Sequence, residues 1–136
     1  MPISKKNFNG FRCILAGIIC NLIFGTMYLW ANINIYVTTY FRLHGNEWLT
    51  INTTTYIYPT WELLRAIGIY FGIRIGKFLG YKKAIMIFTT GFAVSVFISA
   101  YTESFWTFMF FYGLMAPLFS GLAEYIPVHC SWMYFP

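Results

Sequence analysis

Four long apolar stretches, divided by short polar ones, organise this chain. Residues 13–41 (CILAGIICNLIFGTMYLWANINIYVTTYF) and 84–101 (AIMIFTTGFAVSVFISAY) carry no charge, and residues 105–132 carry only Glu124. Residues 51–75 are more mixed, with Pro59, Glu62, Arg65 and Arg74 among long apolar side chains. A helix needs about 20 residues to cross a bilayer. The pattern therefore predicts four transmembrane helices at about 13–41, 51–75, 84–101 and 105–132. The separators are MPISKKNFNGFR at 1–12, RLHGNEWLT at 42–50, a basic run before Ala84 and the turn Thr102-Glu103-Ser104. No linker, low-complexity tract or strong repeat divides the chain, so residues 1–136 read as a single transmembrane domain. The first stretch is too long for the apolar core of a cleaved signal peptide and no small-residue cleavage site follows it, which favours an uncleaved helix.

Composition strengthens this reading. Hydrophobic residues make up 59% of the chain, aromatics 23% and charged residues only 10%, with a mean hydropathy of +0.61. A soluble fold of this size has too much surface to hide so many apolar side chains. The bilayer is the expected solvent and first partner, and an all-α, multi-pass integral membrane protein is the expected class, in a plasma or an organelle membrane.

Charge then orients the helices. With four spans, Lys5, Lys6 and Arg12 share a side with Arg74, Lys77, Lys82 and Lys83, while the opposite side keeps Arg42. This asymmetry places both termini in the cytosol. Without a span at 51–75 the two basic clusters would face opposite sides. The run GIRIGKFLGYKK at 72–83 is thus expected to be a cytosolic anchor between the second and third helices. Its length GxxxGK and the Phe78 that follows do not fit a phosphate-binding loop. Its few cations are explained by topology and imply no nucleic acid.

Glycines and polar residues supply the candidate chemistry. Gly68, Gly72, Gly76 and Gly80 recur every four residues. On a helix they form a smooth stripe that lets two backbones approach closely in lipid. On the first helix Asn21, Gly25, Tyr28, Asn32, Tyr36 and Thr39 fall within about 60° of one direction, with Asn34 on another face. Such a face serves either interhelical hydrogen bonds or a wetted path. Glu62 and Arg65, three apart near the middle of the second span, form either a self-neutralising pair or a site in which Arg65 holds an anion and Glu62 carries a proton. Pro59, one turn earlier, is expected to allow a kink. On the fourth helix Gly113, Pro117, Ser120, Glu124, Pro127 and Ser131 share a face. Glu124 is expected near the cytosolic end, within reach of Lys77, Lys82 or Lys83 as a latch. Asn52-Thr53-Thr54 is a glycosylation sequon expected to sit too close to the membrane for modification. Cys13, Cys20 and Cys130 form no framework, and His44 and His129 have no neighbours at metal spacing. No nucleophile–base pair or cofactor fingerprint appears, so the chain does not read as an enzyme and implies no metal or cofactor.

GIRIGKFLGYKK resembles the loop between helices two and three of the major facilitator superfamily, Gly-x-x-x-Asp-Arg-x-Gly-x-Arg-Arg. Gly80, Lys82 and Lys83 match its end, and Gly72 matches its start with one residue inserted. Gly76 or Lys77 stands where the family has an acid. GTMYLWANINIY at 25–36 resembles the first helix of oxalate/formate antiporter-like and monocarboxylate-transporter-like members. GLAEYIPVHCSWMYFP at 121–136 resembles their fourth helix, with Trp132, Phe135 and Pro136 near its exit. The resemblance implies a twelve-helix secondary transporter of which this chain supplies the first four helices, with substrate bound between two halves. It implies alternating-access transport of a small organic anion such as a monocarboxylate. Tyr28, Asn32, Glu62 and Arg65 would line the path, Gly72, Lys77, Gly80, Lys82 and Lys83 would form the cytosolic loop, and the remaining transporter helices would be partners. The alternative is a non-transporting accessory or structural subunit of a larger membrane complex, its glycine stripe and polar faces buried against other subunits.

Overall fold

The computed structural model describes residues 5–134, with side chains from residue 10 to residue 133. The side chains of Lys5 and Lys6, and Phe135 and Pro136 of the fourth-helix resemblance, lie outside the described residues. Those described are almost entirely helical and include no strand. The first rod is α1 (Lys5–Phe24), a 3-10 segment (Gly25–Leu29) and α2 (Trp30–Leu43). A short α3 (Ile51–Thr55) leads into α4 (Ile57–Leu79), followed by α5 (Tyr81–Ala100). The last rod is α6 (Phe105–Phe108), a π-helical segment (Met109–Met115) and α7 (Ala116–Tyr134). Three stretches, Gly10–Leu43, Tyr81–Ala100 and Phe105–Met133, are long and apolar enough to cross a membrane. The charges of α4 exclude it on composition, although its 23 residues span roughly 35 Å at the α-helical rise.

Local chemistry explains where the helices change. Thr50 caps α3, its hydroxyl accepting the Thr53 N–H at 3.3 Å. Pro59 falls in the first turn of α4, where no intrahelical bond needs its missing N–H. The kink that Pro59 was expected to allow takes the form of a break at Tyr56, ahead of the proline. Gly80 alone joins α4 to α5, at φ +84°, a conformation that glycine adopts without steric cost. The basic run is thus not an extended loop. Lys77 ends α4, and Lys82 and Lys83 lie in the first turn of α5. In the last rod, Pro117 cannot donate to the Gly113 carbonyl. The chain widens just before it, and the Ala116 N–H reaches back to the Phe111 carbonyl.

The rods run alternately up and down. Pairs such as Gly17 with Pro127, Met27 with Tyr112 and Phe41 with Phe105 set the first rod antiparallel to the last. α4 runs parallel to α7, with Gly68 against Leu118 and Gly121, Gly72 against Leu122, and Gly76 against Ile126. α5 closes the bundle through Gly91 against Phe119 and an edge-to-face contact of Phe24 with Phe92, centroids 5.1 Å apart. Arg12, Lys82 and Met133 line one groove, so the start of α1, the start of α5 and the end of α7 share the basic end of the bundle. At the opposite end Trp48 and Trp106 stack at 6.1 Å, both exposed, as tryptophans do at a membrane boundary.

The α4–α7 contact is backbone on backbone. A Cβ on Gly68 would lie 2.7 Å, and one on Gly72 2.5 Å, from a carbonyl oxygen of α7. A Cβ on Gly121 would collide with the Arg65 carbonyl. Gly72→Ala and Gly121→Ala should each destabilise the fold by about 1–3 kcal/mol, the range for overpacking. Gly25→Ala, where a Cβ meets only the Tyr28 ring at 4.0 Å, should be tolerated. Thermal unfolding in detergent checks this, and equal tolerance at all three positions would contradict the packing.

Candidate functional site

The close approach of α4 and α7 brings together charges that lie 59 residues apart in sequence. Arg65 donates from Nε to Glu124 Oε2 at 2.7 Å and from Nη2 to Glu124 Oε1 at 2.6 Å, the fork-on-fork geometry that makes arginine–carboxylate pairs strong. Its remaining terminal nitrogen, Nη1, donates to both Glu62 oxygens at 3.1 Å and to the Tyr28 hydroxyl at 3.3 Å. The guanidinium also sits 6.0 Å from the centre of the Trp61 ring, within cation–π range. Three rods thus meet at one cation.

The two carboxylates are not equivalent. The side chains of Arg65 and Glu124 are 13% and 11% exposed, whereas that of Glu62 is 36% exposed. Tyr28, on the same side, is largely exposed. The site therefore has a sealed half, Arg65 with Glu124, and an open half, Glu62 with Tyr28. With all groups ionised it carries one positive and two negative charges. A buried pair is held only when its geometry is good and its hydrogen bonds are satisfied, and the Arg65–Glu124 fork meets both conditions.

Glu124 is the main correction to the sequence expectation. Its carboxylate pairs with Arg65 at mid-bundle instead of latching Lys77, Lys82 or Lys83 at the basic end. The physical reason is register. The Gly68–Gly121 contact fixes how the parallel helices slide past one another. It sets Gly121 against the Arg65 backbone and brings Glu124, three residues further along α7, within reach of the Arg65 side chain.

The polar face expected on the first helix points outward: Asn21, Tyr28, Asn32, Tyr36 and Thr39 are all exposed. Of these Tyr28 reaches Arg65, and Asn21 donates to the Gly17 carbonyl of its own helix at 2.9 Å.

The buried polar positions of α2 are instead Asn34 and Thr38, facing α3. Thr38 and Thr54 hydroxyls meet at 2.7 Å, Asn34 Nδ2 donates to Thr55 Oγ1 at 3.1 Å, and Trp30 Nε1 donates to the Thr54 carbonyl at 3.3 Å. Trp30, Asn34 and Thr38 stand four apart in sequence, a spacing that marks one helix face. Thr54, the hydroxyl residue of the sequon, is fully buried in this cluster. The glycines Gly68, Gly72 and Gly76 are buried against α7. Gly80, Lys77, Lys82 and Lys83 stand at the basic turn, remote from the charge cluster.

No protein-family model matches the chain, and no characterised protein or solved structure matches it.

Removing one partner of a buried pair strands the other. Arg65→Ala and Glu124→Ala should each cost about 3–5 kcal/mol. Glu62→Gln, at the exposed side, should cost at most about 1 kcal/mol. The double variant Arg65→Leu with Glu124→Leu should be clearly less destabilised than the sum of the single leucine variants. A double-mutant cycle of unfolding in micelles measures the coupling, and simple additivity would contradict the pairing.

Proposed function

We propose that this chain is part of a secondary transporter of a small organic anion, such as a monocarboxylate. Its four rods would cross the bilayer as the first helices of a major-facilitator-type half, with the basic end in the cytosol. The observation that carries this reading is the Arg65-centred cluster, half sealed and half open, where three rods meet. Ionisable residues in a membrane segment are costly to keep there, and ion and substrate pathways are among the roles that retain them.

The geometry supports a definite exchange. Glu124 holds Arg65 in place through two short bonds. Glu62 shares the outward nitrogen with Tyr28 and is the weaker, more accessible partner. Protonation of Glu62 would free Nη1, and a substrate carboxylate would take its place on the guanidinium. The proton and the anion enter together, so the net charge of the cluster stays the same. This avoids leaving an uncompensated charge in a low-dielectric site, and it predicts proton-coupled movement.

The accessory-subunit reading has one observation of its own. The guanidinium is already shared by two carboxylates and a phenol, as expected for a cluster that only fixes packing.

Two measurements test the proposal. Reporters placed at Asn46 and at Gly80 should give opposite sidedness if α4 spans, and the same sidedness if only the three more apolar rods do. In proteoliposomes, an inward proton gradient should drive uptake of labelled lactate or acetate. Glu62→Gln should remove the pH dependence, and Arg65→Gln should reduce uptake to that of empty vesicles. Uptake that is absent in the unaltered chain, together with co-purification of other membrane subunits, would move the accessory reading ahead.

A further inference from the structure

A groove separate from the charge cluster opens at the basic end, between the start of α1, the start of α5 and the end of α7, with a volume of about 690 Å³. Among the described residues its wall holds two cations, Arg12 from α1 and Lys82 from α5, and none of the chain's four acidic residues. Those acids lie elsewhere. Glu62 and Glu124 hold Arg65, and Glu47 and Glu103 lie in the connections at the aromatic end. Membrane topology explains the sign of the charge at this end. It does not explain why cations from two different rods border one groove.

The groove changes character with depth. Arg12 and Lys82 stand toward its outer end, with exposed side chains. Ala16 and Ile85 come about one helical turn further in on the same two rods, roughly 5.4 Å along the axis, and α7 adds Pro127, about two turns in from its end. Charge therefore caps a wall that is apolar beneath it. Trp132, exposed near the end of α7, marks this level as a membrane boundary, where tryptophans gather. Arginine and lysine at such a depth lay their stems along apolar surface and extend their charges toward the headgroups.

We propose that this groove binds an anionic phospholipid, its phosphate between Arg12 and Lys82 and an acyl chain along Ala16, Ile85 and Pro127. A lipid standing in its leaflet repeats the order of the wall, with phosphate at the boundary and hydrocarbon toward the bilayer centre. A small anion would meet the cations and leave the apolar wall bare. An apolar helix would cover the wall and bury the cations without a counter-charge, which is costly. The positive sign of the groove selects a lipid of net negative charge over a zwitterionic one, whose ammonium sits close to its phosphate. Basic pockets between transmembrane helices recognise anionic headgroups on this principle. The inference needs the bundle to sit in a bilayer and is independent of transport.

The test is lipid retention by the chain in mild detergent, read by native mass spectrometry during titration with dioleoyl phosphatidylglycerol or dioleoyl phosphatidylcholine. One phosphatidylglycerol per chain is expected, held in clear preference to phosphatidylcholine. Arg12→Gln and Lys82→Gln should each weaken it about fivefold, the worth of one cation beside an anionic headgroup. Arg74→Gln with Lys83→Gln removes as much charge as the two groove variants combined, from residues outside the wall, and should leave the preference intact. Ala16→Trp, at an exposed position on the wall, should abolish retention without lowering the unfolding temperature. Inorganic phosphate, compared with chloride at matched ionic strength, should not displace the lipid. Equal retention of the two lipids, an equal loss from the Arg74 and Lys83 pair and from the groove pair, or lipid held by Ala16→Trp would overturn the site. Displacement by inorganic phosphate would mark a site for a free anion and overturn the lipid assignment.

Discussion

The fork between Arg65 and Glu124 constrains the rest of this bundle. A cation at mid-depth of an apolar assembly is tolerable only if its partners are fixed in place, and those partners come from different rods. Fixing them demands that α4 and α7 approach closely, which demands glycine on both sides. Gly68 and Gly72 on one helix and Gly121 on the other remove the side chains that would hold the backbones apart. Gly121 sits against the Arg65 carbonyl itself, so the residue that permits the contact and the residue that exploits it are neighbours in space. Packing and electrostatics are here one arrangement, because the close approach sets the register in which Arg65 and Glu124 meet.

Around this centre the polar groups sort by depth and by partner. Glu124 is committed to Arg65 and almost sealed. Glu62 holds the same cation more loosely from an exposed position. The hydroxyl and amide cluster of Trp30, Asn34, Thr38, Thr54 and Thr55 ties α2 to α3 and satisfies its own donors. It accounts for buried polarity near the aromatic end without any ligand.

Much of the helical layout was legible in the sequence, because lipid permits few structures and the apolar runs are long. The spacing of Glu62 and Arg65 was legible as a pair because three residues on a helix span less than one turn. The glycine stripe was legible as a contact surface for the same reason of period. The partner of Arg65 was not. Glu124 is far along the chain, and its depth depends on how α4 slides along α7, which no local pattern records. The buried polar positions of the first rod, Asn34 and Thr38, were not legible either, because their partners on α3 lie in another element and only the folded chain brings them together. The basic run was legible as an end marker. Its conformation was not, since the cytosolic loop expected there is reduced to a single glycine between two helices.

Two irregular segments face each other across the bundle. The first rod tightens to 3-10 pitch at Gly25–Leu29, and the last loosens to π pitch at Met109–Met115. They touch where the Tyr112 hydroxyl meets Met27 sulfur. Of the four rods only these two change pitch there, since α4 and α5 stay regular throughout. The tightened segment carries Tyr28, whose hydroxyl accepts from Arg65: the departure from α-helical pitch lies where the first rod meets the charge cluster.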